Sequence, residues 1–205
     1  EPDFATMTDL AAERLGRKVV YGIDDLFAEK EYLIKPGRGI LSTEKYTELG
    51  KWMDGWESKR KRTEGHDWAV IRLATSGKIS GFDIDTNFFL GNHPPHASVE
   101  GVFLEDDDEL IRDWQILSWV EILPESPLDA GSRNFYKSNS NEVFTHVRLH
   151  IYPDGGVARF RVYGDVYKKW DAIKNDEVID LAAAVNGGKS IACNDMLFSS
   201  MHNLI

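Results

Sequence analysis

The chain has 205 residues, 42% of them hydrophobic, and a formal net charge of −10 at pH 7. This is enough apolar content for one buried core, and the negative charge disfavours a nucleic-acid partner, since phosphate neutralisation needs clustered Lys and Arg. One cysteine excludes a disulfide framework, and no apolar run reaches the ~20 residues that cross a bilayer, so we expect no membrane partner.

Strand signals dominate the middle of the chain, and helical signals are confined to residues 8–14 and 43–52. Short apolar or alternating runs occupy residues 68–73, 78–89, 97–104, 119–123, 144–151 and 157–163. An acidic run at 105–109 is typical of a solvated loop. The Pro-Asp-Gly-Gly turn at 153–156 predicts a hairpin between the last two runs. The pattern predicts an all-β fold, an antiparallel β-sandwich of the jelly-roll type with short peripheral helices.

The chain also begins a second copy of its own opening segment. Residues 9–34 and 180–205 align without a gap and are identical at 11 of 26 positions. The offset of 171 residues is domain-sized, whereas solenoid repeats run to about 20–50 residues. We therefore interpret the match as a tandem duplication of a whole domain. The predicted organisation is a first module at 1–164, a linker at 165–179 and the start of a second module at 180–205.

The loop His93-Pro-Pro-His96 holds two imidazoles on a stiff backbone, because proline fixes φ. With Asp83 or Asp85 they could complete a His/His/carboxylate metal site, which would acidify a bound water. A rigid corner without a ligand is the blander interpretation, and the sequence favours it slightly. Asp83 and Asp85 lie two apart in a strand and point to one face. That face can be a polar pocket, a structural salt bridge or the solvent side of the sheet.

Basic side chains on the predicted strands are a further set of candidates. His146, Arg148 and His150 lie at alternate positions, on the polar face of their predicted strand, and this pattern predicts that their side chains are exposed to solvent. Arg60 and Arg159 are candidate clamps for a carboxylate, because a guanidinium can meet it with two parallel hydrogen bonds. Solvent exposure explains Arg159 equally well. No nucleophile elbow, phosphate-binding glycine loop or His-Glu-x-x-His motif is present, so covalent serine or cysteine catalysis lacks motif support.

Four sequence blocks occur in the order MDGWESKRKR, GHDWAVIRL, GFDIDTNFFLGNHPPHASVEG and FTHVRLHIYPDGGVARFRVYG. In that order they resemble the allantoicase (allantoate amidinohydrolase) family, over residues 9–164 and into the second copy. The resemblance implies two homologous β-sandwich domains of galactose-binding-like type. It also implies hydrolysis of the linear amidine allantoate to ureidoglycolate and urea in purine degradation. An intracellular homo-oligomer, cytoplasmic or peroxisomal, is expected on the same ground.

The implied substrate carries a carboxylate and two ureido groups on one carbon, so its site needs an arginine and several polar groups. The predicted catalytic residues are polar and belong to one strand-to-loop stretch: Asp85, His93 and His96. The predicted substrate-binding residues are Arg60, Asn92 and Arg159. If a divalent metal takes part, its predicted ligands are His93, His96 and Asp83. The alternative is a non-catalytic jelly-roll module for ligand binding or assembly.

Overall fold

A computed structural model of the chain describes residues 1–16, 19–22, 29–42, 44–47, 50–105, 117–173, 176–197 and 200–205. Within these ranges the molecule consists of β-strands and short 3-10 turns, which confirms the predicted all-β class. None of the described helices has the length and apolar character of a membrane span. Most of the predicted acidic loop, and part of the predicted helical segment 43–52, fall outside the described residues.

The strands are short except for one of 19 residues. They are β1 Thr8–Asp9, β2 Val19–Gly22, β3 Tyr46–Thr47, β4 Gly50–Lys51, β5 Trp56–Glu57, β6 Asp67–Asp85, β7 His96–Val102, β8 Val120–Pro127, β9 Arg133–Lys137, β10 Val143–Tyr152, β11 Gly156–Val157 and β12 Arg159–Val166. The 3-10 turns are Asp3–Thr6, Glu13–Leu15, Lys30–Ile34, Trp170–Ala172, Ala184–Asn186 and Met201–Leu204. The helix predicted at 8–14 is therefore replaced by β1 and a single 3-10 turn.

Strand β6 takes part in both layers of the sandwich. Residues 67–78 pair antiparallel with β10, and residues 77–85 pair with β12 and, over the last five positions, with β9. The Thr75-Ser-Gly77 segment, predicted to end a strand, lies inside β6 instead. Apolar and β-branched residues on both sides of this segment sustain one continuous strand.

The two layers enclose one core. The larger layer has the strand order β2–β6–β10–β7–β8, and the smaller has β9–β6–β12–β1. Ile71 and Leu149 enter the core from the larger layer, and Phe82 and Phe160 enter it from the smaller. Because side chains alternate along a strand, Asp83 and its odd-numbered neighbours point away from the core on the outer face of the smaller layer.

The predicted hairpin between β10 and β12 is wrong. The turn is present, but the two strands pair with successive parts of β6 rather than with each other. The chain thus passes from the larger layer to the smaller one at this turn. Gly155 within it has a φ of +138°, and a Cβ there would lie 2.6 Å from the carbonyl oxygen of Asn92. The turn therefore requires glycine.

The opening segments of the two repeats share their local structure. The Oδ1 of Asp9 and that of Asp180 each accept the backbone N–H two positions later, at 3.1 and 2.9 Å. A three-residue 3-10 turn follows in both and ends at a glycine in the left-handed region, Gly16 at φ 84° and Gly187 at φ 94°. The last strand of the first module runs to Val166, slightly past the predicted boundary at 164.

Candidate functional site

A cavity of about 540 Å³ lies on the outer face of the smaller layer, within the range of ligand sites. Adjacent strands β6 and β12 supply its floor. Their register places Asp85 opposite Arg159 and Asp83 opposite Arg161, and all four side chains line the cavity. The segments that precede β2 and that open the second repeat form its walls.

Charged side chains of both signs line the cavity. Among the described lining residues, the acids are Asp9, Glu13, Asp83 and Asp85, and the bases are Arg14, Arg38, Arg133, Arg159, Arg161 and Lys189. Three of these bases also pair with carboxylates outside the lining, Arg159 with Asp54, Arg133 with Glu1 and Lys189 with Asp165. The cavity thus presents several guanidinium groups, a type of group that can bind a carboxylate anion.

Arginine–aspartate ion pairs lie around the cavity. The Nε of Arg38 lies 2.8 Å from Oδ2 of Asp85, and its Nη2 lies 2.9 Å from Oδ1. The Nε of Arg133 donates to Oδ2 of Asp83 at 2.6 Å. Two further pairs are Arg159–Asp54, with a nitrogen–oxygen distance of 2.8 Å, and Arg161–Asp9, with a distance of 3.5 Å. Because each buried charge has an opposite partner, the carboxylates are held in fixed positions at a reduced desolvation penalty.

Asp83 and Asp85 differ in how fully their carboxyl oxygens are hydrogen-bonded. Both oxygens of Asp85 accept from Arg38, and Oδ1 also accepts the backbone N–H of Asn87. In Asp83, Oδ2 accepts from Arg133, but Oδ1 is buried without a hydrogen-bond partner in the described part of the chain. Burial raises the pKa of Asp83 to about 6, and the nearby Asp85 carboxylate adds to this, while Arg133 opposes it. This carboxyl group therefore titrates close to neutral pH.

Arg159 is a buried residue of the cavity floor rather than an exposed one. It is 4% exposed, and its guanidinium donates to the Oδ2 of Asp54 at 2.8 Å and to the carbonyl oxygen of Asp54 at 3.1 Å. Arg38, by contrast, has a side chain that is 50% exposed. Arg38 can therefore reach a ligand from the mouth of the cavity.

Asn92 and Arg60, two of the predicted substrate-binding residues, lie outside the described lining of the cavity. Asn92 is exposed, and its Nδ2 donates to Oε1 of Glu57 at 2.6 Å. Its carbonyl oxygen accepts the N–H of Gly156 at 2.8 Å, so this loop packs on the turn after β10. Arg60 is exposed on the segment between β5 and β6.

His93 and His96 also lie outside the described lining, and the predicted metal ligands do not converge. On β7 the neighbours Ala97 and Val99 enter the core, so His96 faces outward from the larger layer. Asp83 faces outward from the smaller layer, across a core about 10 Å thick. No group of three or more His, Cys, Asp or Glu side chains in the described ranges is placed to hold one metal ion.

A second polar cluster covers the outer face of the larger layer. The Nε2 of His66 lies 2.8 Å from the Nδ1 of His150, whose Nε2 lies 2.7 Å from the Oε2 of Glu100. Arg148 donates to the same oxygen from Nε at 2.9 Å and from Nη2 at 2.6 Å. The His150 hydrogen bond, followed by Arg148, lowers the pKa of Glu100 to about 2. The predicted exposure of His146 and His150 is wrong, because they are only 0% and 8% exposed.

Arg38, Arg133 and Asp54 were not predicted from the sequence. Arg133 lies on β9, a five-residue strand whose sequence shows no clear alternation, so that strand was not predicted. Arg38 stands between Gly37 and Gly39, directly after the repeated segment. The position of Arg38 between two glycines, at the end of the repeated segment, is the feature of the sequence from which a functional role could have been predicted.

The chain has clear relatives among known proteins. The allantoicase repeat matches residues 8–167, which is most of the chain. The chain belongs to the allantoicase family. It is 47% identical over 204 residues to a protein named "Probable allantoicase" from Pseudomonas fluorescens, and 45% identical over 203 residues to one from Photobacterium profundum. These alignments cover 98% and 99% of this chain but 60% of each relative, so the chain spans about three fifths of their length.

Solved allantoicase structures share its fold. One superposes with a TM-score of 0.82 at 34% identity, covering 97% of this chain and 58% of the other. The allantoicase of Saccharomyces cerevisiae gives 0.79 at 34% identity, covering 96% and 58%. A CBM32 module of a Clostridium perfringens glycoside hydrolase gives 0.52 at 12% identity, over 78% of this chain and 96% of the module, and this likeness concerns the fold alone. The predicted family and its β-sandwich are confirmed.

Proposed function

We propose that the cavity on the smaller layer is the substrate site of an allantoicase, which hydrolyses allantoate to ureidoglycolate and urea. The observation that carries the proposal is a cavity in which buried carboxylates and several arginines, one of them half exposed, lie together. Family membership supports the same reaction. The substrate is an anion with four ureido N–H-bearing nitrogens, so it needs cations and hydrogen-bond acceptors in one place.

Arg38 is the proposed partner of the substrate carboxylate. Its guanidinium has five N–H donors, of which the contact with Asp85 engages those on Nε and Nη2. Its half-exposed side chain leaves the Nη1 end available at the mouth of the cavity. The carboxyl oxygens of Asp85 supply acceptors for ureido N–H groups on the floor below.

Three residues predicted from the sequence belong to this proposed site: Asp83, Asp85 and Arg159. Arg159 lines the cavity and donates to the buried Asp54, which lies outside the described lining. The roles assigned to Arg60, Asn92, His93 and His96 stay predictions from the sequence. Homo-oligomerisation and a cytoplasmic or peroxisomal location, which the family resemblance implies, are part of the same proposal.

The second repeat is proposed to complete the site. Residues of its opening segment already line the cavity beside their first-repeat counterparts: Ala184 with Glu13, and Ile205 with Ile34. The chain covers 60% of the first curated relative, so that relative is the longer protein. In a protein with a complete second repeat, we expect further groups of that repeat to approach the same cavity.

Urea release from allantoate tests the proposal. We would assay the 205-residue chain and, in parallel, a chain extended through a complete second repeat. Turnover by both places the essential groups in this chain, and turnover by the longer one alone assigns some of them to the second repeat. No turnover by either would reject the proposed function and favour a ligand-binding or assembly module.

A further inference from the structure

We propose that Asp83 is the catalytic acid of the cavity, and that its carboxyl group donates the proton with which urea departs. The inference rests on the proposed hydrolysis of allantoate and assigns a role within that same site. Three aspartates line the cavity in the described chain, and their hydrogen bonds distinguish them.

Asp9 and Asp85 have both carboxyl oxygens occupied. Oδ1 of Asp9 accepts the N–H groups of Ala11 and Val162, and its Oδ2 faces Arg161. Asp85 is held by Arg38 and Asn87. Because every contact these two groups make comes from a donor, the contacts favour their anionic form. Burial nevertheless raises the pKa of Asp9, against Arg161 and the backbone N–H groups that lower it. Asp9 differs from Asp83 in that neither of its oxygens is left without a donor.

Asp83 keeps one oxygen unused. Arg133 Nε donates to Oδ2, which places a carboxyl proton on Oδ1, the buried oxygen with no described partner. Asp83 is 2% exposed, so its carboxyl group has little contact with bulk solvent. A protonated Oδ1 at the cavity floor has a donor but no acceptor, and a bound ureido nitrogen would be that acceptor.

The reaction balances with this single group. The C–N bond to the leaving ureido group breaks, its electron pair goes to nitrogen, and the nitrogen takes the Asp83 proton to give urea. The remaining ureido nitrogen forms a C=N bond with its lone pair. Water then adds to that carbon as the C=N bond opens, and the proton it releases returns to the Asp83 carboxylate. The products are ureidoglycolate, urea and the original protonated acid.

The groups around Asp83 hold the pKa of its carboxyl group near neutral pH. Burial and the Asp85 carboxylate favour the protonated form, and Arg133 favours the carboxylate. The charged and titratable groups that face Asp83 come from four elements: Arg133 on β9, Asp85 on β6, Arg161 and Tyr163 on β12, and Arg38 on the loop after residue 34. An acid poised in this way can both give and recover a proton near neutral pH.

The test compares D83N with E100Q, in whichever of the two chains turns over allantoate. Asparagine keeps an oxygen for Arg133 but cannot donate a proton as an acid. Glu100 is the matched control, because it is also a carboxylate paired with an arginine, on the other layer and outside the cavity. We expect D83N to lower kcat by about 10²–10⁴-fold with little change in KM, and E100Q to stay within about threefold of the wild type.

A second variant, R133Q, reports on the same proton by its pH profile. Loss of the Arg133 charge raises the pKa of Asp83, so the fall of kcat at alkaline pH should move to higher pH. A D83N enzyme within about threefold of the wild-type kcat, or an R133Q profile with an unmoved alkaline limb, overturns the role of Asp83 and leaves the proposed function standing. Absence of urea release by the wild type overturns the proposed function itself.

Discussion

Arg38 and Asp85 form a two-point contact across 47 residues of sequence, with nitrogen–oxygen distances of 2.8 and 2.9 Å. Such fork-to-carboxylate geometry fixes both side chains in orientation as well as distance. Asp85 is buried and Arg38 is half exposed, so the pair joins the floor of the cavity to its mouth. A ligand carboxylate that reaches the cavity meets Arg38 before it meets the buried aspartates.

Replacing Arg38 should therefore weaken substrate binding. We expect R38A to raise KM by about 10–100-fold, and R38K to fall between R38A and the wild type because lysine keeps the charge but loses the fork. Steady-state urea release measures both constants. Arg62, which is exposed and outside the cavity lining, provides the control R62A. Unchanged KM in R38A would remove Arg38 from the site.

Variants of His93 and His96 test whether the catalytic centre lies in their loop, as predicted from the sequence, or in the cavity. If they carry the chemistry, as the loop pattern predicts, H93A and H96A should lose most of kcat while staying folded. Since neither lines the described cavity, we expect each variant to keep kcat within about threefold of the wild type. Circular dichroism would verify folding. A large loss of kcat in folded variants would move the catalytic centre to this loop.

Glu100 should stabilise the fold only above acidic pH. Its pKa falls from 4.5 to about 2 in the folded chain, so its contribution is fully present above pH 4.5 and is lost as pH falls towards 2. E100Q should reduce stability at pH 7 by about 1–3 kcal/mol, after allowing for partial solvent screening. Guanidinium chloride unfolding between pH 2 and 7 measures it. A deficit that persists undiminished at pH 2 would contradict this origin.

Asp83 should have the opposite dependence. Its pKa rises from 3.8 to about 6, so the protonated group is best tolerated below pH 3.8, and stability is lost as pH rises through 6. D83N removes this loss, and we expect it to be more stable than the wild type by about 1–3 kcal/mol at pH 8. The difference should shrink below pH 4. Equal stability at both pH values would show that the folded carboxyl is not perturbed by burial.

The repeat offers a matched pair of leucines. Leu10 is 0% exposed in the core, and its counterpart Leu181 is 70% exposed. L10A should cost about 2–5 kcal/mol through lost burial and a cavity, whereas L181A should stay within about 0.5 kcal/mol. Chemical unfolding of this 205-residue chain measures both. A comparable cost at Leu181 would show that the second segment is packed in solution.

Much of the fold could be predicted from alternation. The alternating run 78–89 predicts that Ile79, Phe82, Ile84 and Phe88 point inward. The first three are buried in the core. Phe88 is not, because β6 ends at Asp85, and Phe88 lies at φ 67° with 36% exposure. Periodicity identifies the face of a residue only while the strand lasts. The end of β6 depends on tertiary pairing, which a local pattern does not contain.

The cavity could be predicted only in part. Asp83 and Asp85 were recognised because two acids on an otherwise apolar strand are unusual. Their arginines could not be, since Arg38 and Arg133 lie 47 and 50 residues away from them in sequence. The histidines were grouped with the aspartates because they are close in sequence. A strand-to-loop connection that crosses from one layer to the other places such neighbours on opposite faces.

Gly16 and Gly187 end the same turn in two different environments. The first turn follows a leucine that is 0% exposed, and the second follows one that is 70% exposed. The turn therefore keeps its conformation although the leucine before it is buried in one copy and exposed in the other, and the two copies share the short-range sequence from the aspartate to the glycine. When a domain is copied in tandem, a first segment whose local sequence favours its own turn helps each copy to begin folding there.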